Sequence, residues 1–457
     1  MSEDRGLAPT SDASTTTAVA AAPATAVRPL SFSHNVVWAF AGNLVYAASQ
    51  WGMLVILAKV GSPQMVGQLS LGFAIVAPII ALANLRLRIV QSSEADGVYG
   101  FGDYLGLRLV TTPLAFAAIV GIVIAADYSY ESSLVVVAVG LVKAFEAVSD
   151  VAHGALQRSE RMDRVAQLQI AKGGISLAAL ALGLAVTRNL AWAVSFLAGV
   201  SCVLLLTLDL PVAVRATRSS ESVFRPRWDA RTLAAMARLA LPLALGAMVL
   251  SLNMNLPRYF IEHYLGEYQL GIFSAMAYFL VAGRTVTLAI AQSTIPRLAR
   301  LFTAGQMPAF RRILAKVVVA CALVGASGVA VTAVAGRWIL TVVYTPEYAD
   351  HADVFILLML AFALQFLAAA FRAALLAMRR YRTQLLLCIV STVVLAAMCV
   401  ALLESHGLRG AAWAIIGSRT VDLLLFAAAS MPLLWRRRTC DDEPTAVSNG
   451  TAIRHSL

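Results

Sequence analysis

A handful of ionisable side chains stand at depths where a bilayer-crossing sequence should have none. Lys143, Glu146, Asp150 and His153 follow one another at spacings of three, four and three. On an α-helix those spacings put all four on one stripe. Lys172 lies in the next apolar run, Arg284 in a later one, and Arg419 and Asp422 sit three apart near the middle of the last. Arg258 closes another run, after Asn253, Asn255 and Pro257. A charge that meets lipid is costly, so such groups ordinarily face a bundle interior or a wet cavity. Lysine and arginine suit an anionic substrate: the guanidinium is a planar fork of donors that matches phosphate, and the ammonium is a compact point charge. Glu146, Asp150, His153 and Asp422 are candidates for carrying a coupling proton or cation.

A competing reading makes the same residues neutralised ion pairs, Lys143–Glu146, Lys172–Asp150 and Arg419–Asp422, which lock helices together. Four ionisable groups on one helix exceed what a single helix contact needs, so that stripe is read as lining a cavity. For Arg258 an interfacial, snorkelling arginine is the rival. Asp209, one turn from the end of its run, is read as interfacial.

The elements that must position these groups are apolar runs of bilayer length. Twelve fit, at 36–58, 65–85, 106–126, 133–156, 165–187 and 191–213, then 236–257, 270–292, 313–335, 353–374, 384–404 and 412–434. Each is close to the ~20 residues that ~30 Å of hydrocarbon requires, and in lipid the backbone must satisfy its own hydrogen bonds, so the runs are helices. The composition agrees, at 60% hydrophobic and 13% charged. Arginines alternate in phase with the runs: Arg86, Arg88, Arg108, Arg158, Arg161 and Arg164 begin a series on one side that continues to Arg436, Arg437 and Arg438. The opposite gaps hold only Lys59, Arg188, Arg258, Arg337 and Arg409. The positive-inside rule therefore predicts both termini in the cytoplasm. Trp192, Trp338, Trp413 and Trp435 fall near run ends, as interfacial anchors do.

The net charge of +11 is read as topology arginines against anionic lipid headgroups, with no nucleic acid as partner. Residues 1–32 and 438–457 read as disordered cytoplasmic tails, and the first of them lacks the pattern of a cleavable signal. Four of the five cysteines lie inside runs, without metal-ligand spacing or a disulfide framework. Neither a Walker A sequence, a Gly-x-Ser-x-Gly elbow nor a His-Glu-x-x-His occurs, so neither ATP hydrolysis nor enzymatic chemistry is expected, and no cofactor is implied.

The gap at 214–234 divides the chain into bundles 33–213 and 235–437. Gly61-Ser-Pro-Gln-Met-Val-Gly67-Gln-Leu-Ser70 precedes the second run and Gly266-Glu-Tyr-Gln-Leu-Gly271-Ile-Phe-Ser274 the eighth. Ala155-Leu-Gln-Arg-Ser-Glu-Arg161 and Ala374-Leu-Leu-Ala-Met-Arg-Arg380 follow the fourth and tenth. Similar segments at equivalent places predict parallel six-helix repeats, a mark of secondary transporters that rock one half against the other. The fold expected is all-α, a polytopic membrane protein of two six-helix bundles in a V around a central cavity.

At this point the chain resembles the polysaccharide (oligosaccharidyl-lipid, O-antigen-type) flippases of the superfamily that also holds multidrug and toxin exporters. The likeness is carried by Asn255-Leu-Pro-Arg258-Tyr-Phe-Ile-Glu-His-Tyr-Leu-Gly266-Glu-Tyr-Gln-Leu-Gly271-Ile-Phe-Ser274-Ala, by Glu146-x-x-x-Asp150 with Gly154-x-Leu-Gln157-Arg-x-Glu160-Arg161-Met162-Asp163, and by Ile295-Pro296-Arg297. The resemblance implies a lipid-open cavity with cationic lining. It also implies an undecaprenyl-diphosphate-linked oligosaccharide as substrate, moved between leaflets of the cell membrane by an ion gradient (proton or sodium) or the membrane potential. Arg258 matches the motif arginine and becomes the first choice for a diphosphate contact or outer gate. Lys143, Lys172, Arg284 and Arg419 join it on charge and depth alone. Partners expected are membrane lipids, a polysaccharide polymerase and glycosyltransferases. A multidrug exporter of the same superfamily would favour an acidic, aromatic cavity. A membrane polymerase or ligase would carry a large outer loop, which is missing. A non-transporting scaffold would keep the fold with a structural charge network.

Overall fold

A computed structural model describes residues 31–93, 99–217 and 225–435, with the backbone alone described for 32, 93, 280–293, 381 and 432–435. The expected tails lie outside these residues, except for 31 and 32 at the inner edge of the first. Twelve helical segments of membrane-crossing length make up the described chain. The first six are α1 (Phe32–Val60), α2 (Pro63–Ala83), α3 (Phe101–Ala125), α4 (Tyr130–Arg158), α5 (Met162–Thr187) and α6, which runs through Leu190–Leu204, a π-turn at Leu205–Asp209 and Leu210–Thr217. The second six are α7 (230–265), α8 (267–303), α9 (Met307–Val343), α10 (Ala352–Ala377), α11 (381–406) and α12 (408–435).

Nine helices, among the described residues, are long and apolar enough to cross a membrane. Two of the nine run through a glycine of positive φ, Gly266 at 81° and Gly407 at 57°. These are left-handed conformations that glycine adopts without a Cβ penalty, so each long helix folds back into two crossings. α4 is the remaining crossing. Its stripe of Lys143, Glu146 and Asp150 makes it too charged to count by hydropathy, while its burial within the first bundle places it beside the others. Each of the twelve predicted runs thus falls on one of the twelve helical segments, and the chain is a multi-pass membrane protein. Trp192, Trp338 and Trp413 are exposed at helix ends, as belt residues should be.

Two ends of the bundle pair differ. At the end bearing the loops after α1, α7 and α9, α2 and α8 cross in close contact. At the arginine-rich end they diverge. There the start of α7, through Leu233, Met236, Ala240 and Ala244, shares an apolar cluster with Phe101, Tyr104 and Leu105 of α3. The connector is anchored rather than loose where it is described: the Arg227 amide donates to the Gly102 carbonyl at 2.9 Å, and the Arg227 guanidinium lies 3.6 Å from Asp103.

Candidate functional site

Between the bundles, on the arginine-rich side, lies a hollow of about 780 Å3. Its first-bundle wall is the end of α2 with Asn84, Arg86 and Arg88, together with Asp150 of α4. Its second-bundle wall is α7, α8, α10 and α12, which contribute Asn255, Arg258, Gln365, Arg372 and Arg419. Five arginines face one carboxylate among the described lining residues. The hollow is therefore cationic, and apolar side chains such as Leu250, Met254, Phe362 and Phe366 line the rest. Clefts of this size and mixed lining, with a few convergent polar groups, are the usual form of a small-molecule site.

Local backbone builds the first wall. After α2, Leu85 and Arg86 both hold positive φ, 48° and 50°, a left-handed pair that costs roughly 1–2 kcal/mol per non-glycine residue. Arg108 of α3, fully buried, holds that break in place. Its guanidinium donates to the Asn84 side-chain oxygen, to the Asn84 carbonyl at 3.2 Å and to the Ala83 carbonyl at 3.4 Å, and stands 3.6 Å from Asp150. The break turns the chain into a short helix, Leu87–Ser93, with Arg88 3.6 Å from Asp150 and 2.8 Å from the Gln157 amide oxygen.

The second wall is a guanidinium cluster. Arg419 donates to Asp422 at 2.9 Å, as the spacing predicts, and also reaches the Asn253 oxygen at 3.4 Å. Arg372 lies 3.8 Å from the same Asp422 oxygen and stacks on Phe426, 4.7 Å from the ring centroid. Two arginines share one aspartate, so the pair of walls keeps a positive surplus.

The α4 stripe is divided among three environments. Lys143 pairs with Glu146 at 2.7 Å as expected, and Tyr46 donates to the other Glu146 oxygen at 3.1 Å. Lys143 lines a second, smaller hollow of about 230 Å3, and Arg258 lines both. Asp150 faces the central hollow.

The expected Lys172–Asp150 contact does not form. Lys172 instead donates to Asp209 at 2.7 Å and to the Ser149 hydroxyl at 2.8 Å, while Ser149 and His153 also bind Asp209. Asp209 is accordingly fully buried rather than interfacial. The π-turn that ends on it re-aims its side chain into the bundle, as such bulges do at the cost of one regular turn. Lys172, His153 and Asp209 form a closed knot among α4, α5 and α6, away from the central hollow. Arg284 lies on α8, with its side chain outside the described residues.

By phase along the chain Arg86, Arg88, Arg108 and Arg372 all belong to the topology arginines; the structure makes Arg108 a buried support and the other three cavity lining. A signal for two of them exists in the sequence, because Arg108 and Arg372 fall inside the predicted runs 106–126 and 353–374.

The hollow is closed at the opposite end by the two segments that the repeat pairs. A Cβ on Gly67 would lie 1.8 Å from the Glu267 carbonyl oxygen, and one on Gly271 would lie 1.8 Å from the Pro63 carbonyl oxygen, so α2 and α8 cross backbone to backbone. Glu267, next to the left-handed Gly266, turns into the first bundle. There it accepts from Gln68 at 3.0 Å, Gln64 at 3.3 Å and the Ser132 hydroxyl. Tyr259 donates to the Ala74 carbonyl, Lys59 to the Val342 carbonyl at 2.8 Å, and Trp51 to the Tyr344 hydroxyl at 3.2 Å.

A sequence family described as polysaccharide biosynthesis protein matches residues 85–353, well over half of the chain. The chain belongs to that family. It is 25% identical over 402 residues to the capsular polysaccharide biosynthesis protein CapF of Staphylococcus aureus, covering 86% of this chain and 97% of CapF. Among solved structures it is similar to a multidrug resistance MATE family transporter of the MOP superfamily in an inward-facing conformation, with a TM-score of 0.70 at 13% identity over 87% of this chain and 98% of that one. It is also similar to the lipid II flippase MurJ in an inward closed conformation, with a TM-score of 0.67 at 10% identity over 86% and 87%. The fold is therefore that of these transporters and flippases, and the expected two-bundle architecture holds. The chain is a polysaccharide biosynthesis membrane protein with a flippase-type fold.

Proposed function

We propose that the protein moves an oligosaccharide linked to undecaprenyl diphosphate from the inner to the outer leaflet of the cytoplasmic membrane, by alternating access, during surface polysaccharide biosynthesis. The observation that carries this reading is the sign of the central hollow: among the described lining residues Arg86, Arg88, Arg258, Arg372 and Arg419 face Asp150, and Asp422 behind the wall is shared by two of them. A diphosphate needs several donors held apart by their own repulsion, and fixed guanidinium groups in a low-dielectric wall supply them. The apolar part of the lining suits a prenyl chain entering between the bundles. An exporter of organic cations would need the opposite sign.

The alternation of arginines supports a cytoplasmic position for both termini and for the open end. The state described is then loaded from the cytoplasm, with the Gly67–Gly271 crossing as its outer closure. Asp150 already bridges Arg88 and Arg108, so an arriving diphosphate competes with a resident carboxylate for Arg88. An ion gradient or the membrane potential would reset the cycle. Glu146, Asp150, His153 and Asp422 remain the candidate coupling groups. A polymerase and glycosyltransferases would consume and supply the lipid-linked glycan.

The test is a strain lacking the gene, in which the lipid-linked glycan is located by a membrane-impermeant oxidant. We expect it to accumulate on the cytoplasmic leaflet with surface polysaccharide lost. Unchanged surface polysaccharide, or accumulation on the outer leaflet, would overturn the proposal.

A further inference from the structure

The smaller hollow lies where the internal repeat meets itself. Gly67-Gln-Leu-Ser70 and Gly271-Ile-Phe-Ser274 carry the same Gly-x-x-Ser spacing in the two halves. One helical turn beyond the glycine crossing, Ser70 and Ser274 both line the 230 Å3 chamber, with Gln50 and Tyr278 beside them. A water takes about 30 Å3 of liquid volume, so the space holds more than a bridging water.

Its donors are not consumed. The Ser274 hydroxyl is 1% exposed in its residue and has no hydrogen-bond partner. The Arg258 Nε is likewise buried and unpartnered, while its Nη1 donates to the Asn255 side-chain oxygen, a neutral group. Lys143, whose ammonium rests 5.2 Å from the centroid of the Phe73 ring, gives one of its three protons to Glu146. Lys143 and Glu146 cancel, so Arg258 leaves the chamber with a single unneutralised positive charge. Buried donors without acceptors are costly. Donors that converge from two helices and a guanidinium are the complement of an oxyanion.

We infer that this chamber is an anion site of its own, sized for one tetrahedral oxyanion, with Ser274, Ser70 and Lys143 as its donors and Arg258 as the group it shares with the central hollow. Two sources share that chemistry, a free phosphate and the phosphoryl end of a lipid-linked diphosphate. The inference stands apart from the flipping reading, because it needs only an anion and the folded chain.

The test uses the full-length purified protein and selenate, a tetrahedral oxyanion visible by anomalous diffraction. Crystals grown with selenate should show an anomalous peak within hydrogen-bond reach of Arg258 Nε and Ser274 Oγ. In solution, inorganic phosphate should raise the unfolding temperature. Ser274→Val, which removes a donor and fills space, should weaken that apparent affinity about tenfold, the usual worth of one hydrogen bond to a charged group. Arg337→Gln, exposed and lining neither hollow, should leave it within twofold. A short polyprenyl diphosphate that competes with phosphate assigns the chamber to the lipid headgroup; one that binds additively assigns it to the free anion. No peak in the chamber at saturating selenate, or a phosphate effect that Arg372→Gln removes and Ser274→Val leaves intact, would overturn the inference.

Discussion

The two ends of the α2–α8 pair use the same helices for opposite purposes. At one end Gly67 and Gly271 let the backbones touch, and amides, hydroxyls, the Lys59 ammonium and the Glu267 carboxylate complete the closure. At the other end the helices part around a hollow lined by five arginines. Glycine permits close approach but supplies no charge, whereas guanidinium groups of like charge oppose close approach of the two walls. The difference suggests how one pseudo-symmetric frame favours being shut on one side and open on the other when empty.

The sharpest way to break that contrast is at the crossing. Gly271→Leu sets a side chain against the Pro63 carbonyl, so the closed end should fail to form. Surface polysaccharide is expected to fall at least tenfold, and cysteines placed at Gln64 and Glu267 should no longer cross-link. Next in size is the knot that the hollow does not use. Asp209→Ala strands Lys172 without its carboxylate, and removal of one partner of a buried pair costs about 3–5 kcal/mol. The expected result is a lower unfolding temperature and reduced protein in the membrane, a stability defect distinct from a transport defect.

How far these roles were legible in the sequence follows from what depth along a helix can encode. Run length and arginine phase encode the twelve crossings, and the Gly67 and Gly271 segments are similar at equivalent places in the two halves. Azimuth was not encoded. Lys172 and Asp150 have similar depths, yet the π-turn at Leu205–Asp209 brings Asp209 to Lys172 instead. Arg86 and Arg88 have the composition and position of interfacial arginines. Only the left-handed pair at Leu85 and Arg86, held by Arg108, turns them toward the hollow.

Smaller effects refine the comparison. Glu267→Gln keeps the shape of the closure and loses its charge-assisted bonds, each worth about 1.5–3 kcal/mol against roughly 1 for a neutral bond. Surface polysaccharide should fall by less than for Gly271→Leu, with protein level unchanged. Asp350→Asn, at the exposed Arg337–Asp350 pair of 3.7 Å on the closed side, should shift stability by less than about 0.5 kcal/mol, because exposed pairs contribute little. A large effect there would mean that the closed end depends on surface charge rather than on backbone contact.

The most direct measurement is movement of a labelled polyprenyl-diphosphate oligosaccharide between leaflets of proteoliposomes containing the purified protein, read by a membrane-impermeant oxidant. Wild type should expose the label with time, and the Arg258→Gln, Arg372→Gln double variant, folded to the same unfolding temperature, should do so at least tenfold more slowly. Equal rates for the two proteins would contradict an arginine-lined hollow as the path of the diphosphate.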